Sequence, residues 1–234
     1  MAWIDYEKAF DSVPHSWIVE AMTIYRINPV IIDFVTNTMK KWQTEMSLYF
    51  KEGHLKTKKI DIKRGIFQGD SLSPLLFCLT LIPLTNILNN NKQGFQVNKT
   101  KTNHLFYMDD LKLFSKNDSQ LNDALTLVKT FSDDIKMEFG LEKCSKITIK
   151  HGKSISSQNI KLDDDTIIKN LEPNETYKYL GVEENDGIQH SLMKKKLKKE
   201  YYRRVRQVLK TRKLLTMGDI RHPKADVEMM VEED

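Results

Sequence analysis

The order of apolar and polar positions divides the chain into short strands and longer helices. AWIDYEKAF opens as a strand that runs into a turn near Asp11 to Pro14. HSWIVEAMTIY carries apolar residues at helical spacing, with Pro14 suited to a first turn. Asn28-Pro29 interrupts the chain, and PVIIDFVTNTMKKWQ predicts a second helix. TEMSLYF and KTKKIDIK alternate as strands, the lysines of the second marking it as an edge. After the loop KRGIFQGD, Ser73 and Pro74 read as N-cap and first residue of a helix over LLFCLTLIPLTNILNN, with a kink expected at Pro83.

Further along, Asn103 to Ser115 reads as a hairpin with Asp109-Asp110 at its tip. Ser119 to Glu138 forms an amphipathic pattern stopped by Gly140. Short strands follow at KITIKH, NIKL, TIIKN and YKYLGV, then a long basic helix from about Ser191. Helices and strands are mixed without strict alternation, which predicts an α+β fold.

Composition narrows the class. The 234 residues are 40% hydrophobic and 29% charged, enough for a real core. No apolar run approaches the roughly 20 residues of a membrane span, and MAWIDYEKAFD lacks the regions of a signal peptide. Two cysteines, Cys78 and Cys144, give neither a disulfide framework nor a zinc-ligand spacing, so an intracellular setting, nucleus or cytoplasm, is expected. The net charge of +5 is unevenly spread. Lys194 to Lys213 holds eleven basic residues and one acid, an excess of +10, so the rest of the chain carries −5.

Three acidic groups compete as candidate chemistry. Asp133-Asp134 falls among polar helix positions and reads as a solvated face. Asp163-Asp164-Asp165 separates two strands and reads as a hairpin turn. Asp109-Asp110 alone is bracketed by apolar residues, in LFYMDDLKLF. By itself such a pair is a polar turn. Asp5, in a second apolar strand, changes the picture: if the two strands are neighbours, three carboxylates converge at one sheet end and repel unless cations neutralise them. Hard oxygen donors of this kind suit magnesium.

Five segments in order resemble the reverse transcriptase domain of non-LTR (LINE-type) retrotransposons: IDYEKAFDSVPHSWI, GIFQGDSLSPLLF, FYMDD, GLEKCSK and YKYLGV, over roughly residues 2 to 210. Met108 stands where Ala is commoner in that family. The resemblance implies a polymerase palm, a ferredoxin-like antiparallel sheet backed by helices, over 1–187, with residues 14–62 as partial fingers. It implies a basic helix towards the thumb over 188–216, and the tail 217–234 reads as irregular. It implies that Asp5, Asp109 and Asp110 hold two magnesium ions, that Lys143 is the acid for the pyrophosphate leaving group, and that Phe10 is the steric gate against ribose. Gln68 and Gly69 match the loop that meets nucleotide and template; Tyr179, Leu180 and Gly181 match the primer grip.

The implied partners are an RNA template, a DNA primer and deoxynucleoside triphosphates, with no membrane. Lys194, Lys195, Lys198, Lys199 and Arg203 of the basic segment suit phosphate contacts. Compared with that family, the fingers segment before Asp5 and most of the thumb are missing, and HPKADV is similar to a stretch found further downstream. The expectation is a fragment of a longer polyprotein. The other reading is an inert nucleic-acid-binding remnant; an RNA-templated RNA polymerase is a third, against which Phe10 and the YMDD residues argue.

Overall fold

The computed structural model describes residues 1–215 apart from Glu52 and Lys92. The tail over 217–234 lies outside the described residues. Two compact units emerge, Met1–Asp186 and a second from Gly187 onward.

The first unit is α+β. Its main sheet is built from β1 (Ala2–Ile4), β2 (His104–Tyr107), β3 (Asp110–Leu113), β4 (Ser145–Lys146), β5 (Ile160–Lys161) and β6 (Ile167–Asn170). The order across it is β5-β6-β4-β1-β3-β2. β1 is antiparallel to both neighbours, pairing Ile4 with Leu111 on one side and Ala2 with Lys146 on the other. Only β4 and β6 run parallel. A separate two-stranded hairpin, β7 (Tyr177–Tyr179) with β8 (Val182–Glu184), shares no ladder with the main sheet.

Period-two alternation sorts the side chains of β1 and β3 onto two faces. Ala2 and Ile4, with Leu111 and Leu113, enter the larger core. Trp3 points the other way into a smaller cluster with Ile147, Leu171 and Tyr179. The larger core is closed by helices α2 (His15–Ile24), α4 (Ser73–Asn90) and α5 (Asp118–Asp134), which supply Ile18, Phe77, Leu81, Leu84, Leu121, Leu125 and Val128. Each such side chain contributes about 1.5–3 kcal/mol through burial. Trp17 ties α2 to α4 by donating its indole N–H to the Thr80 carbonyl, 3.0 Å away.

Several boundaries differ from the sequence reading. β1 ends at Ile4, and instead of a strand reaching Phe10 the chain makes a left-handed step at Lys8 and a helical turn, α1 (Ala9–Ser12). The third helix, α3 (Pro29–Met39), starts as read: the Asn28 side chain accepts from the Val30 N–H, and proline takes the first position. It stops short of Gln43, which pairs with Asp61 in a two-residue ladder. Lys56 ends a strand that pairs with Ser47–Phe50, so KTKKIDIK is split between two hairpins. Ser73 does not cap α4. Leu72 holds the cap position, Ser73 is buried inside the first turn, and Asp70 accepts from the Leu72 N–H instead.

α4 runs on through Pro83. Gly140 does not end α5 either. The helix finishes at Asp134, and Lys136 takes the positive φ of 58° that a glycine was expected to supply. The strand at KITIKH is two pieces, Ser145–Lys146 in the sheet and Thr148–Lys150 in its own hairpin with Lys153–Ile155. YKYLGV is a hairpin rather than a strand, turning at Leu180 (φ 49°) and Gly181 (φ 83°).

Among the described residues, the second unit holds one long helix, α6 (His190–Leu215).

Candidate functional site

Register alone brings two of the acids together. Because Ile4 pairs with Leu111 in an antiparallel ladder, the residue that follows β1, Asp5, falls opposite Asp110. Asp109 sits in the two-residue turn of the β2–β3 hairpin, whose closing pair is Tyr107 and Asp110. Met108, the other turn residue, takes a left-handed φ of 54°. Its sulfur lies 3.5 Å from Cys78 Sγ of α4, so the hairpin tip rests on the helix. Asp110 is therefore the first residue of β3, not part of the tip.

The three carboxylates share one field. Burial pushes Asp109 up from the usual carboxylate range, and the charge of Asp5 pushes it further. Asp110 is raised by burial first, then by Asp109 and Asp5. Lys143, at the end of the 3-10 turn Leu141–Lys143, opposes both effects. Its ammonium lies 3.4 Å from Asp5 Oδ1, on a side chain that is 70% exposed while that of Asp5 is 16% exposed. A carboxylate trio with one solvated lysine carries an excess of negative charge that a hard divalent cation would neutralise.

The donor chemistry fits such an ion, but the expected closure is not met. Among the described residues no group of three or more His, Cys, Asp or Glu side chains is gathered as a ready set of metal ligands.

Backbone contacts fix Asp5. The Gly140 N–H donates to the Asp5 carbonyl at 2.8 Å, and Glu7 N–H donates to the Glu138 carbonyl at 2.9 Å, so β1 is continued by an irregular clasp. Cys144 Sγ accepts from the Asp5 amide and donates to its carbonyl, both at 3.5 Å. Burial raises that thiol to about 11, which makes it a packing group rather than a nucleophile. Gly140, read from sequence as a helix stop, instead lies against the Asp5 carboxylate: a Cβ there would come within 3.3 Å of Oδ1. No sequence signal separates the two roles of that glycine.

The nucleotide-side candidates form a second group. Phe10 is half-buried in α1 and stacks on Phe77 of α4, centroids 4.5 Å apart. The Ile66 N–H donates to the Phe10 carbonyl, and the Gly65 N–H to that of Val13, each at 2.8 Å. Gly65 needs to be glycine: its φ is 90°, and a Cβ would stand 2.9 Å from the Asp11 carbonyl oxygen. Those two bonds anchor the loop that carries Gln68 and Gly69, both exposed, next to Phe10. The primer-side candidates occupy the β7–β8 hairpin: Tyr179 is buried, Leu180 half-exposed, and Gly181 completes the turn.

On α6, Lys194, Lys195, Lys198, Lys199 and Arg203 are all exposed. Arg203 and Arg204 both bond Glu200 and hold its carboxyl down at about 2. Leu197, Tyr201 and Val208 follow one another at helical spacing and are exposed as well. The other acidic groups lie apart from the trio. Asp163 accepts from the Thr166 and Asp165 amides in an exposed turn between β5 and β6, and Asp133 pairs with Lys129 on α5. Residues that sequence reasoning passed over include Trp3, Lys112, Tyr177 and Glu184, which join the β7–β8 hairpin to β1 and β3. Lysines and glutamates in short strands give no sign of being buried until their partners are known.

Comparison with known proteins gives the family. The family model for reverse transcriptase (RNA-dependent DNA polymerase) matches residues 1–183. A retrovirus-related Pol polyprotein from the type-1 retrotransposable element R2 of Popillia japonica is 32% identical over 183 residues, 76% of this chain and 30% of that protein. The corresponding polyprotein of the type-2 element R2DM of Drosophila melanogaster is 28% identical over 187 residues, 78% of this chain and 17% of that protein. The chain thus spans less than a third of the length of these relatives. With the family model covering most of its length, the chain belongs to the reverse transcriptase family, as a reverse transcriptase domain of the non-LTR retrotransposon type.

Proposed function

We propose that this chain carries the palm of an RNA-directed DNA polymerase and extends a DNA primer on an RNA template. The observation that supports this most is the position of Asp5 opposite Asp110, with Asp109 beside them and Lys143 3.4 Å from Asp5. Reverse transcriptases as a family use divalent metal ions. Asp5, Asp109 and Asp110 would hold them here, and a magnesium pair, when bound, activates the primer 3′-hydroxyl and stabilises the departing pyrophosphate.

The remaining work falls to the chain's own groups. Lys143 offers an exposed ammonium beside Asp5, placed to give a proton to the leaving pyrophosphate and to reduce the repulsion within the trio. The Phe10 ring, fixed by its stack on Phe77, closes space that a 2′-hydroxyl would need and so favours deoxynucleotides. Gln68 and Gly69 present polar atoms and open backbone to the nucleotide and template. Leu180 and Gly181 offer a close-approach turn to the primer strand. Within this reading the main sheet and its helices are the palm, residues 14–62 belong to the fingers side, and the lysines of α6 meet nucleic-acid phosphates.

A second reading is supported by one observation: the carboxylates are not gathered as a ready ligand set. A chain that binds template–primer without turnover has the same surface. Primer extension on an RNA template, with and without magnesium, separates the two. The enzyme reading expects magnesium-dependent incorporation of deoxynucleotides that Asp109→Asn abolishes. Binding of the hybrid with no incorporation at any magnesium concentration would leave the binding reading in its place.

A further inference from the structure

Lys112 stands at the polar position of an alternating strand, yet it is buried. It lies on β3, two residues after Asp110, on the face that also carries Trp3. Only 8% of it is exposed. Its ammonium faces three aromatic rings, with centroids at 5.1 Å (Tyr179), 5.4 Å (Trp3) and 5.6 Å (Phe114). It is also ion-paired with Glu184 of β8, whose side chain is 17% exposed.

The Tyr177–Glu184 hairpin depends on this contact because it shares no backbone ladder with the main sheet. Side chains attach it instead. Tyr177 stacks on Trp3 at 4.6 Å, with planes 13° apart, and donates its hydroxyl to the Lys143 carbonyl at 2.7 Å. Tyr179 and Glu184 close on Lys112. Each anchor sits next to a candidate catalytic group: Trp3 is two residues from Asp5, Lys112 two from Asp110, and Lys143 touches Asp5.

A buried ion pair is a poor choice if stability is all that is wanted, because a well-packed apolar group of similar volume serves as well or better. What the pair adds is direction. Cation and rings have a narrow range of good geometries, and a buried carboxylate left alone is costly, so the hairpin has one favoured register against β3.

We propose that Lys112 is a positioning residue: it sets the distance between the hairpin turn at Leu180-Gly181 and the carboxylates, and through that turn the place of the primer's 3′ end. The proposal rests on the polymerase reading above. Lys112 touches neither substrate nor metal in this scheme; it acts through the hairpin.

The test uses the full chain and a primer–template whose primer ends in a 4-thiothymidine at its 3′ end, so the readout does not need turnover. Irradiation followed by peptide mapping locates the terminal base. The parent is expected to crosslink within residues 177–184. Lys112→Met keeps the stem, removes the charge and leaves Glu184 unpaired. It should cut that crosslink by about tenfold or more, the scale on which a displacement near 1 Å acts, while hybrid affinity changes by less than about twofold. Lys112→Arg, which keeps the charge and stacks on aromatic faces, should restore it.

Glu184→Gln provides a second route should Lys112→Met fail to fold: it keeps the volume, drops the pair, and should weaken the crosslink while the chain stays folded. A folded Lys112→Met or Glu184→Gln variant that crosslinks like the parent overturns the proposal and leaves the polymerase reading intact. A parent that binds hybrid but never crosslinks in the hairpin overturns both the primer-grip reading and the role given to Lys112. Equal losses of hybrid affinity and crosslink across the variants would make Lys112 an ordinary structural residue.

Discussion

Phe10 and Phe77 lie face to face, with centroids 4.5 Å apart and planes 12° from parallel. Phe77 is fully buried on α4 and Phe10 only half-buried, so one ring is anchored and the other presented. In the proposed enzyme, Phe10→Val should raise ribonucleotide incorporation and leave deoxynucleotide use largely intact. Phe77→Leu should move the same ratio less, since it loosens the gate without removing it, and should lower stability, with about 0.5–1.5 kcal/mol of that coming from the lost aromatic pair. Competition between the two nucleotide types in primer extension measures both. A Phe10→Val chain that discriminates like its parent would make Phe10 a core aromatic and nothing more.

Asp109 and Asp110 make the fold sensitive to pH in a particular sense. Both are raised, by burial first and by neighbouring carboxylates second. A carboxyl that holds its proton more tightly when folded contributes stability below its unfolded pKa. That contribution is lost as pH rises through the folded value. In buffer free of divalent cations, stability should therefore fall as pH climbs through and above the ordinary carboxylate range of about 4. Asp109→Asn should flatten that fall and raise the urea midpoint near neutral pH, even as it removes extension. An unchanged pH slope in Asp109→Asn would show that the trio is not strained.

Lys146 and Asp118 form an unequal pair. The lysine is 1% exposed and the aspartate 53% exposed, with 3.2 Å between them. Removing Asp118 strands a buried ammonium, whereas removing Lys146 leaves a carboxylate that water still reaches. Asp118→Asn should cost on the order of 2 kcal/mol, below the full range for breaking a buried pair because Asp118 is half solvated. Lys146→Met should cost clearly less. Denaturant unfolding of the two variants decides it, and a reversed order would mean the ammonium is not held as a charge.

The basic helix should bind hybrid through phosphates with little preference for sequence. Lys194, Lys195, Lys198 and Lys199 are exposed on it, and each phosphate contact adds roughly 0.7–0.9 to the slope of log affinity against log salt. Replacing all four with Gln should flatten the slope by about two units or more. If the slope of the quadruple variant equals that of the parent, these lysines serve another purpose, such as the import signal that KKKLKK resembles.

Much of this architecture was legible in the residues because it is local. The helix start at Pro29, the turn at Asp163 and the start of α6 are each set by neighbours a few positions away. The proximity of Asp5 to Asp110 followed from two apolar strands each carrying an acid, once the strands were taken as neighbours. What stayed hidden depends on distant partners. Gly140 reads as a helix stop, but its place is set by the Asp5 strand. Ser73 followed by proline is a capping pair on its face, yet the helix begins one residue earlier because Ser73 is drawn into the core. Lys112 in LKLF looks like a solvated position; only Glu184 and three rings, brought in by tertiary packing, make it a buried cation.

The middle strand of the sheet, Ala2–Ile4, also dictates when the sheet can be born. Its two neighbours are Leu111–Leu113 and Ser145–Lys146, so a nascent chain must reach Lys146 before the strand is paired on both sides. At ordinary rates of synthesis that is a wait on the order of ten seconds. During it, α2, α3 and α4 have all their local contacts at hand, while an apolar strand with unpaired edges stays open to wrong partners. The acids keep the same timetable. Asp5 meets Asp109 and Asp110 only when the sheet zips, so the mutual repulsion of the candidate site arrives among the last acts of folding, after the helical core is available to hold the strands in place.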